Sequence, residues 1–173
     1  MPALSSSAVI PGTIPTSTEQ EVHVSKPKAA PVATLPSLRD TLRLLAHQLD
    51  TVRRDGCWDE DFARLMTVHH IGALRLAAVE LSHGNDSTLR ALAHYVLKGH
   101  ERDNSMLLLA LARQPPKGKK YRPGNAKDPF VRRIATALAP LHQPPATPGP
   151  LDADFATLMQ VHHQTGVALA QAQ

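Results

Sequence analysis

From Ser37 to Gln114 the apolar positions recur every three or four residues, and this period predicts helices. Leu38, Leu42, Leu45, Leu49 and Val52 alternate spacings of four and three, as one buried helix face requires. Ser37 precedes them with Asp40 three residues on, an N-cap with an acid in the first turn, so helix A starts there and ends near Arg54. Asp55 and Gly56 make a turn. Asp59, Glu60 and Asp61 then set negative charge at the favourable end of helix B, which spans about Asp59 to His83. Gly84, Asn85 and Asp86 supply the stop, Ser87 can cap the next start, and Leu89, Leu92, Val96, His100 and Leu107 trace one face of helix C. Helix C ends before Pro115.

Proline placement marks the segments, because proline interrupts helix interiors. Six of the 15 prolines precede Leu38, nine lie from Pro115 to Pro150, and none falls between Ser37 and Gln114. Residues 1–36, rich in Ser, Thr, Pro, Ala and Val without period, read as a disordered leader. The rest divides into a first helical repeat at 37–114, a basic, proline-containing linker at 115–128, and an incomplete second repeat at 129–173.

The repeat is explicit in the sequence. Asp61-Phe62-Ala63-Arg64-Leu65-Met66-Thr67-Val68-His69-His70 returns as Asp154-Phe155-Ala156-Thr157-Leu158-Met159-Gln160-Val161-His162-His163, 93 residues later. The same offset sets Leu38 on Val131 and Leu45 on Leu138, so Phe130, Ile134, Leu138 and Leu141 form a second helix A opened by Asp128-Pro129. The expected layout is A, B, C, A′, B′. The second copy stops inside B′ with no C′, so the chain reads as truncated, and a homodimer that completes the second repeat is one expected partner.

Composition narrows the class. Aromatic residues make up 3% of the 173-residue chain and the apolar content rests on Leu, Ala and Val, which favours an all-α fold. Cys57, the single cysteine, cannot form an internal disulfide. The longest apolar run, Leu107 to Ala112, is far below the roughly 20 residues that cross a bilayer, so no membrane span is expected. Met1 to Thr18 contains no Lys or Arg and is broken by Pro2, Pro11 and Pro15, so no export signal is read there. Net charge is +4, much of it in Lys117, Lys119, Lys120 and Arg122, a basic loop read as solvated.

The candidate chemistry lies in the repeated Met-x-x-His-His element. At about 100° per residue, Phe62, Leu65, Met66, His69, Ala73, Leu76 and Glu80 share one line with His70 at its edge. His69 should point inward and His70 toward a neighbouring helix or groove, with Met66 able to reach either. Met159, His162 and His163 repeat that geometry. Two imidazoles and a thioether per repeat form a soft to borderline donor set that favours Cu(I), with Cu(II), Ni(II) or Zn(II) open through the imidazoles. His100 on the helix C stripe and Met106 beside it extend the set of candidate metal ligands. Against this stands a bland reading, since a methionine at helical spacing packs cores and an inward histidine can be hydrogen-bonded structure. Two partly buried imidazoles side by side need partners, and the same need appears twice in one chain, which weighs toward metal.

At these residues the sequence resembles the CopM-like proteins, a bacterial family long labelled domain of unknown function three hundred and five. Asp61, Phe62, Met66, His69 and His70 match its first motif, and Asp154, Phe155, Met159, His162 and His163 match it again. Leu92 and Ala93 match the next helix, where His100 stands for the family's Gln, Asp103 for Glu, and Leu107 for Met with Met106 adjacent. The resemblance implies a ferritin-like helical bundle, and copper binding in the periplasm or cell exterior for some members.

Other classes fit less well. A di-iron enzyme on such a bundle needs Glu-x-x-His on two helices, and Glu80 to His83 is the single such spacing on a core helix. His83 reads instead as a cation at the carbonyl end of helix B. No nucleophile has a base in reach, so no enzyme activity is expected. Lys117-Gly118-Lys119-Lys120-Tyr121-Arg122 could contact phosphates, yet no recognition pattern surrounds it, so nucleic acid is not the expected partner. An interaction bundle without metal, its histidines packing or responding to pH, is the alternative to metal sequestration or transfer.

Overall fold

The computed structural model describes residues 37–113, 119–144 and 149–172. The expected leader lies outside the described residues, as do Pro115 to Gly118 of the linker. Of what is described, 80% is helical and no strand is formed, so the all-α expectation holds.

Ser37 opens α1 (Leu38–Asp50) as its side chain requires, accepting the Asp40 N–H at 3.1 Å. The helix stops at Thr51, short of Arg54. Thr51 Oγ1 donates back to the carbonyls of His47 and Gln48, and the Val52 N–H reaches only Leu49, so the last turn tightens and closes. α2 (Trp58–His83) and α3 (Ser87–Arg113) follow. Asp86, and not Ser87, caps α3: its Oδ1 accepts the N–H groups of Thr88 at 2.8 Å and Leu89 at 2.9 Å. A carboxylate at the positive end of a helix outdoes a hydroxyl one residue later.

Asp128 caps α4 (Pro129–Leu138), accepting the Phe130 N–H at 2.9 Å. Pro140 has no amide hydrogen, so the chain narrows into a 3-10 turn over Ala139–His142, which carries Leu141 into the core beyond the helix proper. α5 (Leu151–Ala172) completes the bundle. The buried apolar residues of α1, Leu38, Leu42, Leu45, Ala46 and Leu49, are spaced as Phe130, Ile134, Ala137, Leu138 and Leu141 are. That is an offset of 92 residues, so Leu38 matches Phe130 and not Val131, which is only half-buried. The connection ahead of the second motif is one residue longer, which leaves each helix free to present its own apolar face.

α2 is the central element, packed against α1, α3 and α5, while α4 packs on α5 and α1 also reaches α5. Leu42, Leu45, Leu49, Leu76, Leu141, Leu158 and Leu169 are all at most 1% exposed, each stabilising the fold by about 1.5–3 kcal/mol. The segment after residue 118 belongs to this core. Trp58 stacks on Phe130 with centroids 4.5 Å apart, and Tyr121 meets Phe130 edge-on at 4.5 Å. The Trp58 N–H donates to the Lys119 carbonyl at 3.1 Å and the Tyr121 N–H to the Gly56 carbonyl at 3.0 Å. Gly56 has φ +85°, and a Cβ there would stand 2.7 Å from the Tyr121 oxygen, so the turn requires glycine. Tyr121, the one aromatic of the basic segment, is thus part of the core and offers no exposed face for stacking a base. Among the described residues no helix is long and apolar enough to cross a membrane.

Candidate metal centre

Adjacent residues on a helix diverge by about 100°, and a helix flanked on one side only can bury just one of them. α2 is flanked by α1, α3 and α5. His69 turns to α5 and is 2% exposed, whereas His70 turns to α3 and is 7% exposed. The expectation for His69 holds, and the neighbour that takes His70 is α3.

The two copies of the motif meet at the α2–α5 contact. His69 Nε2 lies 2.9 Å from the His162 carbonyl, and His162 Nε2 lies 2.9 Å from the His69 carbonyl. A carbonyl only accepts, so both Nε2 atoms carry the proton and both Nδ1 atoms present a lone pair. Those two Nδ1 atoms are buried without a partner. The rings stack with centroids 3.7 Å apart. Gly166 makes room for this stack, since a Cβ there would lie 2.9 Å from His69 Cε1.

His100 joins from α3. Its ring stacks on His70 at 4.5 Å, and its centroid lies 6.0 Å from that of His162 and 5.9 Å from that of His163. One ring nitrogen from each of His100, His162 and His163 falls within 4.8 Å of the others. Both nitrogens of His100 are buried without a partner. His70 Nδ1 donates to Asn104 Oδ1 at 3.0 Å, which leaves its Nε2 as the free lone pair. Asn104, four residues beyond His100, was not singled out from the sequence, although that spacing places it on the same face of α3.

Burial keeps these imidazoles neutral. It pushes His69 down to about 3 and His100 to about 4, and it holds His162 well below the ordinary value of 6.5. His70 and His163 are lowered for the same reason, with Asn104 and Asp103 partly opposing the effect at His70. A group of neutral imidazoles with unpaired lone pairs is what a metal cation needs from its ligands.

The methionines fall in three environments. Met159 is 2% exposed in the core, Met66 is half-buried against it, and Met106 is 62% exposed on α3. Met66 and Met106 line one groove together with Phe62, His70, Asp103 and Leu107. Two thioethers thus line the same groove as His70, while Met159 sits among packed apolar side chains.

The second copy is barer than the first. Ala63, His70 and Ala77 are buried where α3 covers α2, but their counterparts Ala156, His163 and Ala170 on α5 are exposed. The motif aspartates serve the scaffold. Asp61 is fully buried and accepts from the Asp55 N–H at 2.9 Å, the Gly56 N–H at 2.8 Å, the Tyr121 hydroxyl at 2.8 Å and Arg64 at 2.9 Å. Asp154 accepts the Gly149 N–H at 2.9 Å and is held by Arg39 at 3.1 and 3.2 Å. In both copies a glycine five residues back donates to the aspartate, a role beyond the helix-end charge that the sequence assigns to Asp61. Glu80 is also fully buried, but at the far end of α2, where burial and then the Asp152 carboxylate beside it raise it to about 7. Ten residues from His70, it lies about 15 Å along the axis and is no part of the imidazole group.

An all-helical bundle with an imidazole cluster between the two copies of its repeated motif is the class these observations define. The chain belongs to the family described as domain of unknown function, DUF305, which it matches over residues 59–173. No curated protein and no solved structure matches it.

Proposed function

We propose that this protein binds a soft to borderline metal ion, copper first, at its imidazole cluster, for sequestration or transfer rather than catalysis. The supporting observation is the convergence of His100, His162 and His163 within 4.8 Å, with buried lone pairs on His100 and His162 that no protein group uses. These three residues and His70 would hold the ion, and imidazoles suit copper, zinc and nickel alike. His69 positions His162 through the reciprocal hydrogen bonds. Met66 and Met106, beside His70 at the groove, add the soft donors that favour Cu(I). The same reading takes the two halves as related repeats of a ferritin-like bundle, supported by the matching burial in α1 and α4.

One observation favours the alternative of a metal-free interaction bundle. The His69–His162 pair holds α2 to α5 through its Nε2 atoms and has a structural use without any ion. The experiment is a Cu(I) titration against a competing chelator, on the wild-type chain and on His100→Ala/His163→Ala, with helicity followed by circular dichroism. Stoichiometric binding by wild type and at least about a tenfold loss in the folded double variant support the metal site. Absence of binding by folded wild type leaves the structural bundle.

A further inference from the structure

We propose a second cation site, for a hard divalent ion with calcium first, where Glu80 near the end of α2 meets Asp152 at the start of α5. Glu80 is fully buried, and neither of its carboxyl oxygens has a hydrogen-bond partner. Gly84 lies against this carboxyl. A Cβ at position 84 would overlap Oε1, so the turn after α2 keeps a glycine where the acid needs the space. Asp152 Oδ1 accepts the N–H groups of Asn85 at 2.9 Å and Asp86 at 3.2 Å, and its Oδ2 remains available as a ligand. Asp86 adds a third negative charge beside Glu80, with its own Oδ1 spent on the cap of α3. The carbonyls that end α2 at His83 contribute partial negative charge at the same place. Arg90 balances this only in part, because its guanidinium bonds the Gly84 carbonyl at 3.2 Å and forms no ion pair with these acids among the described residues.

A buried carboxyl can be neutralised by a proton or by a cation, and the two leave different things behind. A proton removes the charge of Glu80 but leaves both of its oxygens buried without a partner, next to an Asp152 that is still charged. A divalent ion takes oxygens from both carboxylates and offsets both charges. An all-oxygen donor set suits calcium or magnesium, whereas soft ions prefer imidazole and thioether. Calcium accepts the irregular arrangement of two carboxylates completed by water from the side of half-buried Asp152, where magnesium demands a regular octahedron. The site stands apart from the imidazoles, since Asp152 precedes His162 on α5 by ten residues, about 15 Å along the axis. An ion there ties the start of α5 to the end of α2, the same two helices that His69 and His162 join farther along.

Thermal unfolding of the full chain at about pH 8, freed of metals by a chelator and held at constant ionic strength, tests this with calcium chloride as the probe and Glu80→Gln alongside. Wild type is expected to gain about 5–10 °C in its midpoint at about 10 mM calcium, the shift given by a site with a dissociation constant of about 0.1 mM. Glu80→Gln should stay folded and lose that response, because the amide keeps the shape without the charge. Calorimetric titration should find one calcium per wild-type chain and lose it in the variant. A wild-type midpoint that ignores calcium overturns the proposal, and so does an equal rise in wild type and Glu80→Gln, which would assign the ion to other acids. Imidazoles and thioethers do not hold calcium, so neither result bears on copper binding.

Discussion

His69 and His162, equivalent residues of the two motif copies, each donate an Nε2–H to the other's backbone carbonyl at 2.9 Å. The relationship fixes three things together. It sets the register of α2 against α5, it selects the tautomer of both rings, and it points two unpartnered Nδ1 atoms into the interior.

Losing one ring of this pair should therefore act on stability first. His69→Ala removes a buried ring and the hydrogen bond it donates to the His162 carbonyl, while the backbone carbonyl at 69 can still accept from His162, and should cost about 2–4 kcal/mol in urea unfolding without metal. His163→Ala, at an exposed counterpart, should stay within about 0.5 kcal/mol. Equal losses from the two variants would mean that the inner pair carries no special structural load.

Acid should loosen the cluster in a defined window. His69, His100 and His162 are held below their unfolded value of 6.5, so their contribution is fully present above pH 6.5 and is lost as pH falls toward about 4 and then 3. The urea midpoint of the metal-free protein should fall steadily below pH 6.5. In His100→Ala the part of that fall nearest pH 4 should shrink. A midpoint flat from pH 7 to 4 would contradict neutral burial of these rings.

Much of this was legible in the chain, for reasons that also explain what was not. The 3.6-residue period disclosed the helices, and the repeated ten-residue motif disclosed the two elements that meet. A one-dimensional pattern does not carry the number of flanking helices, so burial of both His69 and His70 had to come from packing. Helix ends depend on which side chain wins a cap, and at α3 the winner was Asp86 rather than Ser87. Tyr121 looked like part of a solvated basic loop because its partner, Asp61, is 60 residues away.

Asp61 and Asp154 occupy the same motif position with different burdens. Asp61→Ala strands two backbone N–H groups, the Tyr121 hydroxyl and one Arg64 contact, and should cost about 3–5 kcal/mol. Asp154→Ala leaves Arg39 and the Gly149 N–H nearer solvent and should cost about 1–2 kcal/mol. Thermal unfolding of the two variants side by side checks the order, and near-equal losses would mean that burial does not separate them.

Glu80 gives the opposite pH response to the histidines. Its carboxyl is fully buried, faces Asp152, and is raised from 4.5 to about 7 with Arg90 only partly opposing that shift. A folded value above the unfolded one stabilises the fold fully below pH 4.5, and that contribution is lost as pH rises through about 7. Above pH 7 the folded chain must carry a buried carboxylate beside the Asp152 carboxylate, itself held ionised by the Asp86 and Asn85 N–H groups. Glu80→Gln keeps the shape and never ionises. It should leave stability at pH 5 within about 0.5 kcal/mol and raise it by on the order of 1–3 kcal/mol at pH 8. Unfolding curves at the two pH values, for wild type and variant, measure that difference directly. A variant that is destabilised equally at both would show that Glu80 is ionised in the folded protein throughout.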